Sequence, residues 1–205
     1  MKNIFLLLPI FIILANSMFC KSEEAPDPVR DTFGRLLRTK HAYYILPVGP
    51  WSGGGLELIN TNYTTCPLDV VQSGADIPGT PVAFFPVNLK KGVIRVLTDL
   101  NIMFPNTYTV CPESPVWKVN HYYTNDPLNR DYFITTGGHV GNPEPETLGN
   151  WFKIQKFGDG YKLLHCPDVC TLCNFVCKDV GFYVQNGQRR LALTNYPFMV
   201  VFKRA

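Results

Sequence analysis

The chain has 205 residues, 19 Lys and Arg against 16 Asp and Glu, and a formal charge of +3, with both signs scattered rather than gathered in a block. That pattern excludes a basic nucleic-acid surface and a polybasic membrane face. Aromatic residues make up 13% of the chain, with 17 Pro and 16 Gly, and no 3.6-residue apolar period lasts beyond two turns, so an all-β chain of short strands is predicted.

In chain order, the basic start Met1-Lys-Asn and the apolar run from Ile4 to Ala15 predict a secretory signal peptide over residues 1–22. Ala15 with Ser17, or Cys20 with Ser22, offers the small residues of a cleavage site, and the mature chain is expected to begin near Lys21. The run is roughly a dozen residues against the about 20 of a spanning helix. Residues 23–205 are expected to form one domain, with no linker inside it. Strands are predicted at 42–48, 56–59, 69–72, 82–85, 93–97, 100–104, 117–119, 132–135, 151–154, 161–164, 182–184, 190–193 and 199–202. Gly53-Gly-Gly, Pro78-Gly, Gly158-Asp-Gly and Asn186-Gly separate them with residues that tolerate positive φ. Asn186-Gly187 is the strongest hairpin signal. About a dozen short strands fit a sandwich, a barrel or a trefoil, and a weak echo of aromatic-led strands near Tyr43, Tyr132 and Phe182 suggests three-fold repetition.

Seven cysteines become six when Cys20 is assigned to the leader, an even set suited to three disulfides. Cys166, Cys170, Cys173 and Cys177 lie almost palindromically between two strand-like segments. A hairpin there would bring Cys166 to Cys177 and leave Cys170 with Cys173 at the tip. The alternative is a metal site built on Cys-x-x-Cys; oxidation in a secretory compartment and the lack of a distant second ligand pair weigh against it.

No catalytic constellation stands out, and an enzyme is not expected. His41, His121, His139 and His165 lack metal or triad spacing and read as surface or turn residues. Trp51-Ser-Gly-Gly-Gly55 is neither a phosphate loop nor a hydrolase elbow and reads as a turn. Glu144 and Glu146, set between prolines, read as solvated charge. Asn62-Tyr-Thr64 is an N-glycosylation sequon, which requires a surface position.

Val29-Arg-Asp-Thr-Phe-Gly-Arg-Leu-Leu37 followed by Tyr43-Tyr-Ile-Leu46 resembles the N-terminal signature of the Kunitz soybean-trypsin-inhibitor family. The likeness runs on through Cys66-Pro-Leu-Asp-Val-Val-Gln-Ser73, Phe84-Phe-Pro-Val-Asn88, Val96-Leu-Thr-Asp-Leu-Asn-Ile-Met-Phe104 and Trp151-Phe-Lys-Ile154 to Arg189-Arg-Leu-Ala-Leu193. The four-cysteine cluster and Phe84-Phe-Pro86 are similar to the miraculin-like branch.

The resemblance implies a β-trefoil of twelve strands, with disulfides Cys66 to Cys111, Cys166 to Cys177 and Cys170 to Cys173; no cofactor or metal is expected. It implies an endopeptidase partner, foremost a serine protease, engaged by a monomer through a substrate-like loop. Carried onto this chain, the loop comprises Phe85, Pro86, Val87, Asn88, Leu89, Lys90 and Lys91, with P1 at Asn88 and P1′ at Leu89. Pro86 and the loop's length suggest an extended segment. A preorganised loop loses little entropy on docking, so a standard-size interface can bind tightly. Two positions depart from the pattern. A trypsin S1 pocket selects Lys or Arg through its aspartate, and neutral Asn88 cannot supply that pair, so strong trypsin inhibition is not expected. Thr39 stands where the family's inhibitors carry an asparagine that braces the loop. The alternative function is a non-inhibitory storage, defence, miraculin-like or sugar-binding trefoil protein. The expected location is extracellular, with vacuole or cell wall as further destinations.

Overall fold

The computed structural model describes residues 25–49, 52–59, 66–105, 107, 109, 111–123 and 130–205. The expected leader with its cleavage sites and the Asn62 sequon lie outside the described residues. Twelve strands follow one another: β1 (Ala42–Pro47), β2 (Leu56–Ile59), β3 (Asp69–Gln72), β4 (Val82–Pro86), β5 (Leu100–Met103), β6 (Lys118–Tyr123), β7 (Arg130–Thr135), β8 (Lys153–Phe157), β9 (Gly160–His165), β10 (Lys178–Gln185), β11 (Gln188–Thr194) and β12 (Val200–Arg204).

Their pairing resolves the choice among sandwich, barrel and trefoil. β1 pairs with β4 and β12, β4 with β5, β8 with β9, and β9 with β12. The ring closes where Leu100 and Phe152 exchange N–H···O bonds of 2.9 Å in both directions. The other six strands form the hairpins β2–β3, β6–β7 and β10–β11. These meet one another at Asp69↔Thr135, Phe133↔Ala192 and Val71↔Arg190. A six-stranded barrel capped by three hairpins is the β-trefoil, and closure removes the exposed edges that an open sheet would present.

The barrel is filled from within by alternating side chains. In β1, Tyr43 and Ile45 are buried while Tyr44 and Leu46 are half-buried, the period of two expected of a strand with one covered face. Phe84 meets Phe202 edge-on at 5.5 Å, and Trp117 meets Phe152 the same way at 5.8 Å. Each ring is fully buried, so truncating one to alanine is expected to cost about 3–5 kcal/mol. The β10–β11 turn is as its sequence demands: Asn186 and Gly187 both have positive φ, 52° and 78°, the pair that matches strand twist in a two-residue hairpin.

Two expectations are corrected, and a 3-10 helix is added to the predicted elements. Residues 93–97 do not form a strand: Val93 and Arg95 make single bridges to Arg38 and Pro28, and Leu97 turns away at φ 54°. Their partner is the irregular segment 28–38, which meets them at isolated points and offers no ladder. His165, expected at the surface or in a turn, is buried at the end of β9, where its Nδ1 lies 2.9 Å from the Trp151 carbonyl. The Pro-rich segment after Gly141 runs directly into a 3-10 helix at Pro145–Asn150, with Glu144 and Thr147 forming its capping box.

Sulfurs are bonded in three pairs, Cys66–Cys111, Cys166–Cys177 and Cys170–Cys173. The four-cysteine cluster therefore offers no thiolates, and the metal alternative falls away. Lys178↔His165 and Asp179↔Leu164 are the first cross-strand pairs below the cluster, so the outer disulfide caps a genuine hairpin.

Candidate functional site

Residues 87–92, between β4 and the bridge at Val93, are exposed throughout, whereas Pro86 before them is buried. Both feet of this loop are held by backbone bonds. On the first side Pro86 pairs with Leu100, and the Val87 N–H donates to the Asp99 carbonyl at 2.8 Å. On the second, the Thr39 N–H donates to the Gly92 carbonyl at 3.3 Å, and fully buried Ile94 donates to Leu37 at 3.0 Å. Thr39 supports the loop through this backbone bond.

Between the feet the chain is turned, not extended, which corrects the expectation drawn from Pro86 and loop length. The Lys91 N–H donates to the Asn88 carbonyl at 2.9 Å, and the Lys90 N–H donates to Asn88 Oδ1 at 3.1 Å. Asn is the residue type whose short amide mimics a backbone turn, so Asn88 closes the loop on itself. Leu89 and Val87 remain 59% and 36% exposed. They are the exposed apolar side chains of the loop.

Beneath the first foot lies a charged bracket that the sequence reading did not single out. Buried Lys153 lies 2.5 Å from Asp168 Oδ2 and 3.7 Å from Asp99 Oδ1, and the Asp168 N–H donates to Asp99 Oδ2 at 2.9 Å. Burial pushes the Asp99 carboxyl above its ordinary range. The Asp168 N–H and the Lys153 ammonium oppose that rise, and the Asp168 carboxylate adds to it. Asp168 belongs to the disulfide-closed segment 166–177, so the residue whose carbonyl holds Val87 is itself tied to the cysteine hairpin. A lysine inside the apolar run Trp151-Phe-Lys-Ile154 was the available signal, because a buried cation needs a partner.

A second buried pair centres the three-hairpin cap. Arg190 Nη2 lies 2.6 Å from Asp69 Oδ1, and the guanidinium stacks over Phe133 at 3.7 Å. Phe85 and Pro86 belong to β4, while Val87, Asn88, Leu89, Lys90 and Lys91 lie in the loop itself. Glu144 and Glu146 are exposed.

A barrel that clamps an exposed loop at both feet and carries three disulfides defines a disulfide-bridged class of β-trefoil proteins. Residues 29–204 match the legume Kunitz family model, described as trypsin and protease inhibitor, and the chain belongs to that family of inhibitors, which are not enzymes. It is similar to Kunitz trypsin inhibitor 5 of Arabidopsis thaliana, 43% identical with 98% of this chain and 96% of that protein covered. Miraculin of Synsepalum dulcificum is 46% identical over 93% of this chain and 89% of its own length. Among solved structures, a Kunitz-type cysteine protease inhibitor from potato superposes with a TM-score of 0.77 at 36% identity, covering 88% of this chain and 98% of that one.

Proposed function

We propose that this chain is secreted, is processed near Lys21 and acts as a monomeric endopeptidase inhibitor that offers residues 85–91 to a serine protease, with Asn88 at P1 and Leu89 at P1′. The carrying observation is the exposed loop clamped at both feet, a geometry that keeps the two sides of the scissile bond together if a protease cuts it. Family membership and relatives named as inhibitors support the reading. Trypsin is a poor target, because its S1 aspartate finds no cation on Asn88. A substrate-like fit also requires releasing the Lys91 bond to the Asn88 carbonyl, so that this oxygen can enter an oxyanion hole. One hydrogen bond of that kind is worth about 1 kcal/mol, a modest barrier to docking.

The same turn favours a second reading, a non-inhibitory miraculin-like protein, because it occupies the carbonyl that a protease must polarise. Titrating trypsin, chymotrypsin, subtilisin and papain with the folded protein separates the two. Inhibition of one protease, with preference moved to trypsin by Asn88→Arg, supports the loop at Asn88. No inhibition by either form favours the second reading.

A further inference from the structure

Where β1 lies against β12, Arg35, Arg38, His41 and Arg204, with buried Asp31 and Tyr43, line a concavity of about 260 Å³. Its one carboxylate is already engaged. Asp31 Oδ2 receives Arg35 Nε and Nη2, each at 2.8 Å, and Oδ1 accepts the Phe33 and Arg35 N–H groups at 2.9 Å. The fork of Arg35 thus neutralises Asp31 internally. Arg38 and Arg204 have no carboxylate within ion-pair distance among the described residues.

Each remaining polar side chain of the concavity has a hydrogen to donate. Arg204 Nη2 lies 3.1 Å from His41 Nδ1. A guanidinium can only donate, so Nδ1 accepts and the hydrogen of the neutral ring sits on Nε2. The buried Tyr43 hydroxyl accepts the Arg38 N–H at 2.9 Å, which leaves its own hydrogen to donate. Two guanidiniums without counter-charge, an imidazole N–H and a phenol meet around a space that could hold a small tetrahedral ion.

We propose that this concavity is an oxyanion site taking a sulfate or phosphate group, gripped by Arg38 and Arg204 and completed by His41 and Tyr43. Planar guanidinium forks suit paired oxygens of that geometry. The site has a cationic extension. Lys40 lies next to it in sequence, and the Thr39 bond to Gly92 joins its rim to the loop carrying exposed Lys90 and Lys91. A free ion would fill the concavity alone, whereas a sulfated saccharide would continue along those lysines.

The test is calorimetric titration of the mature protein with sodium sulfate, sodium phosphate and a sulfated heparin-type tetrasaccharide, at fixed ionic strength. Saturable binding of sulfate or phosphate is expected, weakened about tenfold by Arg38→Gln and by Arg204→Gln and unchanged by Lys178→Gln on β10. Tighter binding of the tetrasaccharide, with a loss on Lys90→Gln, assigns a polymer as the source; equal affinity assigns the free ion. Amide shifts at Thr39, His41 and Tyr43 on sulfate addition provide a readout in the unmodified protein should either variant misfold. No saturable binding of either ion, or an equal loss in Lys178→Gln, overturns the proposal, as does a shift pattern remote from those three residues.

Discussion

Two exposed segments of the same barrel are held in shape by different means. Residues 166–177 carry two disulfides within twelve positions, whereas residues 87–92 carry none and depend on backbone bonds at their feet and an amide-capped turn between them. Covalent closure serves a segment without ladder pairing, because it removes freedom from the unfolded chain. Hydrogen-bonded closure holds a shape that a partner can still remodel. The difference matters because Asp168 and Asp99 join the two segments, so the covalently held one steadies a foot of the other.

The largest expected effect comes from cutting that join. Lys153→Met leaves Asp99 buried without its cation and should destabilise the fold by about 3–5 kcal/mol, read as a shift in denaturant midpoint. An unchanged midpoint would mean that the two segments are independent. Next is Cys166→Ser with Cys177→Ser, expected to cost about 3 kcal/mol from the chain entropy of the loop that the disulfide closes. Amide exchange should then rise at Val87 as well as within 166–177; a rise confined to the hairpin would break the proposed coupling.

A smaller effect is a pair of opposite pH slopes. Burial pushes the Asp31 carboxyl upward, but the Arg35 N–H, its guanidinium and the Phe33 N–H outweigh this and hold it below its ordinary 3.8. Its stabilising contribution is therefore complete above that value and lost as pH falls through the folded-state pKa. Asp99 is raised above 3.8, so its contribution is present at lower pH and lost as pH rises through the folded-state pKa. Midpoints measured between about pH 2 and 7 should show Asp31→Asn flattening the acid-side loss and Asp99→Asn flattening the loss on the rising side. Matching slopes in the two variants would contradict the assignment. The smallest effect is local: Asn88→Ala removes one turn bond, worth about 1 kcal/mol. It should hasten cleavage of the loop by subtilisin while leaving the global midpoint in place.

These contrasts also explain what could be read before the structure. Strands such as 42–47 and 160–165 declare themselves because Tyr43-Tyr-Ile-Leu and Tyr161-Lys-Leu-Leu are short runs rich in aromatic and aliphatic residues, while the alternation of buried and less buried positions emerges only in the fold. Residues 93–97 have the same composition but cross an irregular partner, and pairing geometry has no local signature. The Asx turn at Asn88 was legible in principle, since Asn is a turn former, although loop length and Pro86 point to an extended shape. The Asp99–Lys153–Asp168 bracket was not legible as a unit: its members lie 69 positions apart at the hydrogen bond between Asp168 and Asp99, and only the fold brings them together. The basic concavity at Arg38, His41 and Arg204 is of the same kind, with 163 positions separating the ends of its contact.

The reciprocal bonds between Leu100 and Phe152 give the barrel a seam. Elsewhere its neighbouring strands share at least one paired position within their ladders, but β5 and β8 join through an isolated bridge that lies outside β8 itself. Asp99 and Lys153 are the next residues along on either side, so their ion pair acts as a rivet across the line where the cylinder would first unzip. The loop's first foot is fastened beside that rivet, and a pull on Val87 is therefore a pull on the barrel's own closure.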